Sequence, residues 1–141
     1  MKLFSKWISA ALLCIIASTG FAAEREEKVI YHISDSVNAT AALRNAKNHL
    51  DQSPKAKIVF VTHGPGIDFL LDGATDKNGN PYEIAVQDLA ARKVEFRVCT
   101  NTLVSRNIDK SKLLPEASLV PSGVAEVARL QIHEGYAYLK P

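Results

Sequence analysis

Five short apolar or alternating runs divide this chain, and stretches with helical periodicity separate them. Val29-Ile30-Tyr31-His32-Ile33 predicts the first strand, which Ser34, Asp35 and Ser36 break. Asn38 or Thr40 can cap the helix after it. In that helix Ala39, Ala42, Leu43, Ala46 and Leu50 recur at helical spacing, with Arg44, Asn45, Lys47 and Asn48 facing away. Gln52-Ser53-Pro54 ends it. Lys57 to Thr62 is almost continuously apolar, which suits a central strand covered on both faces. Ile67 to Leu71 predicts a short helical turn, and 72–81 a loop with Asn78-Gly79-Asn80-Pro81 as its turn signal. A helix is expected over Tyr82 to Lys93.

The next stretch draws most attention. Val94, Phe96 and Val98 alternate with Glu95 and Arg97, the period-2 pattern of a strand, and Cys99 falls where the strand should stop. Thr100, Asn101 and Thr102 come next, residue types that cap helices or make local turns. A short helix or turn is expected over Asn101 to Asn107 and another over Asp109 to Leu114. Ala117 to Val120 predicts a fourth strand, Val124 to Glu134 a helix with Gly135 at its C′ position, and Tyr136 to Leu139 a fifth strand.

Alternating strands and helices predict an α/β fold, three-layered α/β/α, with a mainly parallel five-stranded sheet. Glu95 and Arg97 should share a face with Cys99. A covered strand does not tolerate such charges unpaired. An edge position, a wet face or a subunit boundary would each account for them.

The beginning of the chain changes the count. Lys2 and Lys6, an uncharged apolar run from Trp7 to Ala17, and small residues before Ala23 have the three parts of a secretory signal peptide. The expected organisation is a signal peptide over 1–22 and one domain over 23–141, placed in the periplasm or secreted. Removing 22 of the 141 residues leaves 119, enough for one sizeable core. It also removes two of the 17 basic residues and none of the 15 acidic ones, so the mature chain is balanced in charge. Nothing in that balance calls for nucleic acid or, after cleavage, a membrane. Cys14 leaves with the signal peptide. Cys99 then stands alone, ruling out an intramolecular disulfide.

Cys99 is the first candidate for chemistry. Ligands gather outside the carboxyl ends of strands in open α/β sheets, and a helix N-terminus or nearby cation favours the reactive thiolate. The Thr100-Asn101-Thr102 stretch and Arg106 could supply these. A lone cysteine equally serves as a small buried hydrophobe. His63 ends the second strand, and Gly64-Pro65-Gly66 lets the backbone turn sharply or approach a ligand; His63 is in principle a base for Cys99. Hydrogen bonding within its own loop is the plainer role. His32 reads as a sheet-face histidine. A His32–His63–Cys99 metal triad lacks a metal-site spacing. His49 and His133 read as solvent-exposed helix residues. Ser122 reads as a helix cap, and Ser122-Gly123 opens a helix whose N-terminus could hold an anion. No Walker loop, dinucleotide fingerprint or hydrolase elbow occurs, and no cofactor is indicated.

Taken in order, His63-Gly64-Pro65-Gly66-Ile67, Val98-Cys99-Thr100-Asn101-Thr102-Leu103, Val120-Pro121-Ser122-Gly123-Val124, Leu130-Gln131 and Gly135 to Pro141 resemble the DsrE/DsrF-like family, in particular its secreted single-domain members. The resemblance implies a homotrimer or homohexamer. It also implies a sulfur relay, in which a cysteine at the position of Cys99 accepts persulfide sulfur and passes it between donor and acceptor proteins. The expected function is therefore a sulfur or thiol carrier using Cys99 and His63, with Gly64, Gly66, Asn101, Thr102, Arg106, Ser122 and Gly123 in support. The alternatives are a non-enzymatic oligomeric module binding a small ligand or partner, and, more weakly, a small hydrolase or metal site using His63 and Cys99.

Overall fold

The computed structural model describes residues 26–141. The expected signal peptide, with Cys14, lies outside them. Five parallel strands form one sheet in the order β4-β3-β2-β1-β5. They are β1 (Lys28–Ile33), β2 (Lys57–Thr62), β3 (Glu95–Cys99), β4 (Ala117–Val120) and β5 (Ala137–Leu139). The intervening helices are α1 (Ala39–Gln52), α2 (Tyr82–Ala91), the single-turn α3 (Thr100–Ser105) and α4 (Gly123–Glu134). Each expected strand is present, with ends moved by a residue at most. The expected turn after β2 is a longer 3-10 segment, Gly64–Leu70. The 72–81 loop is pinned by the Thr75–Pro81 bridge and by Asp76, whose carboxylate accepts from the Asn78 and Asn80 amides.

The strand order explains the layers. From β1 to β4 the chain steps one strand at a time in one direction, then returns past β1 to place β5. Right-handed crossovers put helices from opposite directions of travel on opposite faces. The α1 and α2 side holds the main core, built around Phe60, Phe69, Phe96, Ile33, Ile58 and Leu50. The α4 side buries a much smaller set: Ile30, Val59, Val61, Val127, Leu130 and Tyr136. Ser122 caps α4 by accepting from the Ala125 amide at 3.4 Å, and Gly135 closes it in the left-handed conformation at φ +72°.

The charges of β3 lie on the thin side. β3 is interior, between β2 and β4, so neither an edge nor a subunit boundary is needed to explain them. The Arg97 guanidinium donates to Glu95 at 2.6 Å and to Glu126 of α4, and Arg129 also donates to Glu126 at 2.8 Å. Glu126 is 9 % exposed. Hydrogen bonds from Arg129 hold its carboxyl below the usual range against the opposing effect of burial, and Arg97 adds to them. This network, not apolar packing, seats the middle of α4 on β3. Glu126→Ala should therefore cost about 3 kcal/mol, because it strips Arg97 of its helix partner. Urea denaturation at neutral pH measures this, and a loss below about 0.5 kcal/mol would show the network to be surface decoration.

Candidate functional site

Cys99 is the last residue of β3 and the N-cap of α3, at φ −68° and ψ 114°. The residue is 5 % exposed, so its burial is real, but its surroundings are polar. As a neutral thiol it makes no capping hydrogen bond. Burial by itself would push the thiol up. That effect is outweighed by groups able to hydrogen-bond a thiolate: the Gly123 amide, the Thr102 hydroxyl and amide, and the Asn101 amide. The net direction is downward, toward the reactive form.

Each of these groups has a structural reason to be there. Asn101 and Thr102 occupy the second and third positions of α3, whose amides lack intrahelical partners. The Asn101 amide also donates to Pro121 O at 3.3 Å, which joins the start of α3 to the turn before α4. The Thr102 oxygen accepts from the Gly64 amide at 2.9 Å, leaving its hydroxyl proton free for the sulfur. Gly123, the first residue of α4, packs directly between the ends of β2 and β3. A methyl group there would stand 3.2 Å from His63 Cβ, 3.2 Å from Thr62 O and 3.3 Å from Cys99 Cβ. Glycine thus lets the α4 N-terminus close on the thiol.

The loop after β2 forms the other wall. Gly64 adopts φ +55°. Gly66 lies against β1, where a Cβ would fall 2.1 Å from Ile33 O, so no side chain fits without moving backbone. Arg106 donates to Gly64 O at 3.2 Å and to Asp68 at 2.6 Å. It braces the loop and is not directed at Cys99. Ser122 acts as the α4 cap, as expected.

His63 corrects the expected base–nucleophile pair. It shares the Gly123 contact with Cys99, but no hydrogen bond joins the two side chains. Its Nε2 instead meets His32 Nε2 at 2.7 Å, and His32 Nδ1 meets the Tyr138 hydroxyl at 2.7 Å. The His32–His63 contact is a hydrogen bond. Among the described residues, no group of three or more histidine, cysteine, aspartate or glutamate side chains is arranged for a metal. Burial lowers the basicity of both rings, and the nearby Lys140 lowers it further; for His32 the proximity of His63 contributes as well. His49 is another correction: it is half-buried, hydrogen-bonded to the Tyr31 hydroxyl at 3.1 Å and to Glu27. His133 is exposed, as expected.

Tyr138 was not a candidate by sequence, and His32 was weighed only as a sheet-face residue or a member of a metal triad. The available signal was parity. His32 pairs in register with Val61, and His63, two residues beyond Val61, continues on the same side of the sheet. Ile30 pairs with Tyr138, which places Tyr138 on that side too.

The DsrE/DsrF-like family model matches residues 12–141. The chain belongs to the DsrE/DsrF-like family. It is similar to a solved protein of unknown function, MTH1491 from Methanobacterium thermoautotrophicum, at 27 % identity and a TM-score of 0.73, covering 82 % of this chain and 100 % of that one. The ychN protein from E. coli shares the fold at 16 % identity and a TM-score of 0.65, over 82 % of this chain and 98 % of its own. No curated protein matches.

The histidine pair carries a pH dependence with a definite sign. Both rings have depressed folded-state values, so the unfolded chain binds more protons than the native one once pH drops below the ordinary histidine value of about 6.5. Their contribution is intact above that pH and declines as pH falls through the window beneath it. Denaturant midpoints between pH 7.5 and pH 5 should fall, and His32→Gln should flatten that slope. An unchanged slope in the variant would contradict the assignment.

Proposed function

We propose that this DsrE/DsrF-like protein is an exported sulfur or thiol carrier in which Cys99 holds sulfane sulfur as a persulfide. The observation that carries this reading is the Cys99 sulfur itself, buried yet bordered by amides and a hydroxyl that favour the thiolate. Packing alone gives no reason to bring two helix starts and Thr102 to one sulfur. The association of the family with sulfur relay points the same way.

The step is a displacement. The Cys99 thiolate attacks the outer sulfur of a donor persulfide, R–S–SH. A bond forms between Sγ and that sulfur, the donor S–S bond breaks, and the electron pair leaves on R–S⁻. No net oxidation occurs, so no cofactor is required. The product persulfide is itself anionic near neutral pH and would draw on the same amides. Transfer to an acceptor is the same reaction in reverse, with an acceptor thiolate attacking the outer sulfur. We place the protein in the periplasm or outside the cell, as a homotrimer or homohexamer, on the strength of its leader pattern and its family resemblance.

A second reading, a non-enzymatic module binding a small ligand, is favoured by a cavity of about 290 Å³ between α1 and α2. Leu43, Tyr82, Ala85 and Leu89 line it together with Arg44 and Lys47. It lies on the opposite side of the sheet from α4 and does not involve Cys99.

Incubation of the purified protein with a sulfane-sulfur donor, followed by intact mass measurement, separates the two. The carrier reading expects a gain of one sulfur that cyanide or dithiothreitol removes and that Cys99→Ser abolishes. No gain in the wild type, or an equal gain in Cys99→Ser, would overturn it.

A further inference from the structure

The cavity between α1 and α2 is closed at both ends by side chains that meet across it. Where the two helices start, the Thr40 and Tyr82 hydroxyls are hydrogen-bonded at 3.3 Å. Toward their far ends, Asp51 of α1 accepts from Lys47 at 3.0 Å and from Arg92, just after α2, at 2.8 Å. Between these two ties α2 presents Ala85, whose short side chain leaves a hollow of about 290 Å³. Leu43 and Leu89, both buried, line its apolar part.

The charges around the hollow are balanced in sign but not all paired. Arg44, Lys47 and Arg92 line it against Asp76 and Asp88, with Asp51 tied to Lys47 and Arg92. Asp76 is turned into its own loop, where it accepts from the Asn78 and Asn80 amides and from the Asn80 side chain. Arg44 and Asp88 differ from the rest. Both are exposed, and they face the cavity from α1 and from α2. Among the described residues neither has a hydrogen-bond or ion-pair partner. A molecule of one charge gains at one of them and loses at the other. A molecule that carries both signs close together, beside an apolar body, gains at both.

We propose that this cavity binds a small zwitterion with an apolar side chain, of the class of the aromatic and large aliphatic α-amino acids. Its carboxylate meets the Arg44 guanidinium, its ammonium meets the Asp88 carboxylate, and its side chain enters the hollow over Leu43, Ala85 and Leu89. Tyr82 at the closed end gives an aromatic side chain a ring to pack against. The size agrees. A cavity of about 150 Å³ takes benzene, and about twice that takes a phenyl ring with the amino-acid unit attached. Exposed ion pairs contribute little, so the apolar contact supplies most of the affinity and the two charges supply the choice of ligand. This site rests on the cavity of the second reading, to which it gives a ligand class, and it does not involve Cys99.

A titration of the purified, nitrogen-15-labelled protein tests it, with L-phenylalanine, 3-phenylpropionate and phenethylamine as probes. L-phenylalanine should give saturable amide shifts confined to α1, α2 and the 72–81 loop. It should bind about fivefold tighter than 3-phenylpropionate, which lacks the ammonium, and than phenethylamine, which lacks the carboxylate. Arg44→Gln should erase the advantage over phenethylamine, and Asp88→Asn the advantage over 3-phenylpropionate. Ala85→Leu should fill the hollow and abolish binding of all the probes. The absence of saturable shifts there, equal or tighter binding of either single-charge probe, or binding that survives Ala85→Leu would each overturn the site. If Ala85→Leu loses its dispersed amide spectrum, the two exposed variants decide the matter. Sulfur uptake by mass is read separately: uptake without phenylalanine binding removes this site and leaves the carrier, and binding without uptake does the reverse.

Discussion

A sulfur placed on the last residue of a parallel strand, under a helix, is either sealed in hydrocarbon or given polar company. Here a glycine favours the second outcome, because a methyl group at residue 123 would press on Thr62, His63 and Cys99 by a few tenths of an ångström. Because residue 123 is glycine, the start of α4 comes down against Cys99 and His63, and its first amide is available to the sulfur. The start of α3 arrives from the other direction because Cys99 is itself that helix's cap. Amides from both helix starts thus favour the ionised form of one side chain. Burial and ionisation, which ordinarily oppose each other, are reconciled at this position.

The two faces of the sheet are built on different terms. The α1 and α2 side is dense with aromatic and branched residues. Among the described residues the α4 side has six in its core cluster, and it relies on Arg97, Glu126 and Arg129 to seat its helix. That division suits the chemistry. The tightly packed face fixes the strands, and so fixes where their carboxyl ends lie. The polar face leaves room among its side chains for Tyr138, His32 and His63, which a hydrocarbon interior would not accept without partners.

Much of the fold was legible because each strand is a local pattern. Val94 to Cys99 alternates, Lys57 to Thr62 is apolar throughout, and both are strands within a residue of their expected bounds. Cys99, His63 and the glycines were legible for the same reason, each standing at a strand end or a turn. What stayed hidden depends on partners distant in sequence. Glu126 reads as an ordinary helix-surface acid until α4 is laid over β3, 29 residues away. His32 reads as a sheet-face histidine because its two partners come from β5 and from the end of β2, 106 and 31 residues off. His63 read either as a base for Cys99 or as a residue bonded within its own loop, and only the His32 contact shows its Nε2 to be engaged elsewhere.

The chemistry turns on the charge state of one atom. Thiolate absorbance in the ultraviolet, recorded against pH and corrected with Cys99→Ser, reads that state without any reagent. The prediction is a single titration with its midpoint below about 8.5, the value of an ordinary cysteine. A midpoint at or above that value would mean that burial prevails over the surrounding amides, and Cys99 would be a packing residue.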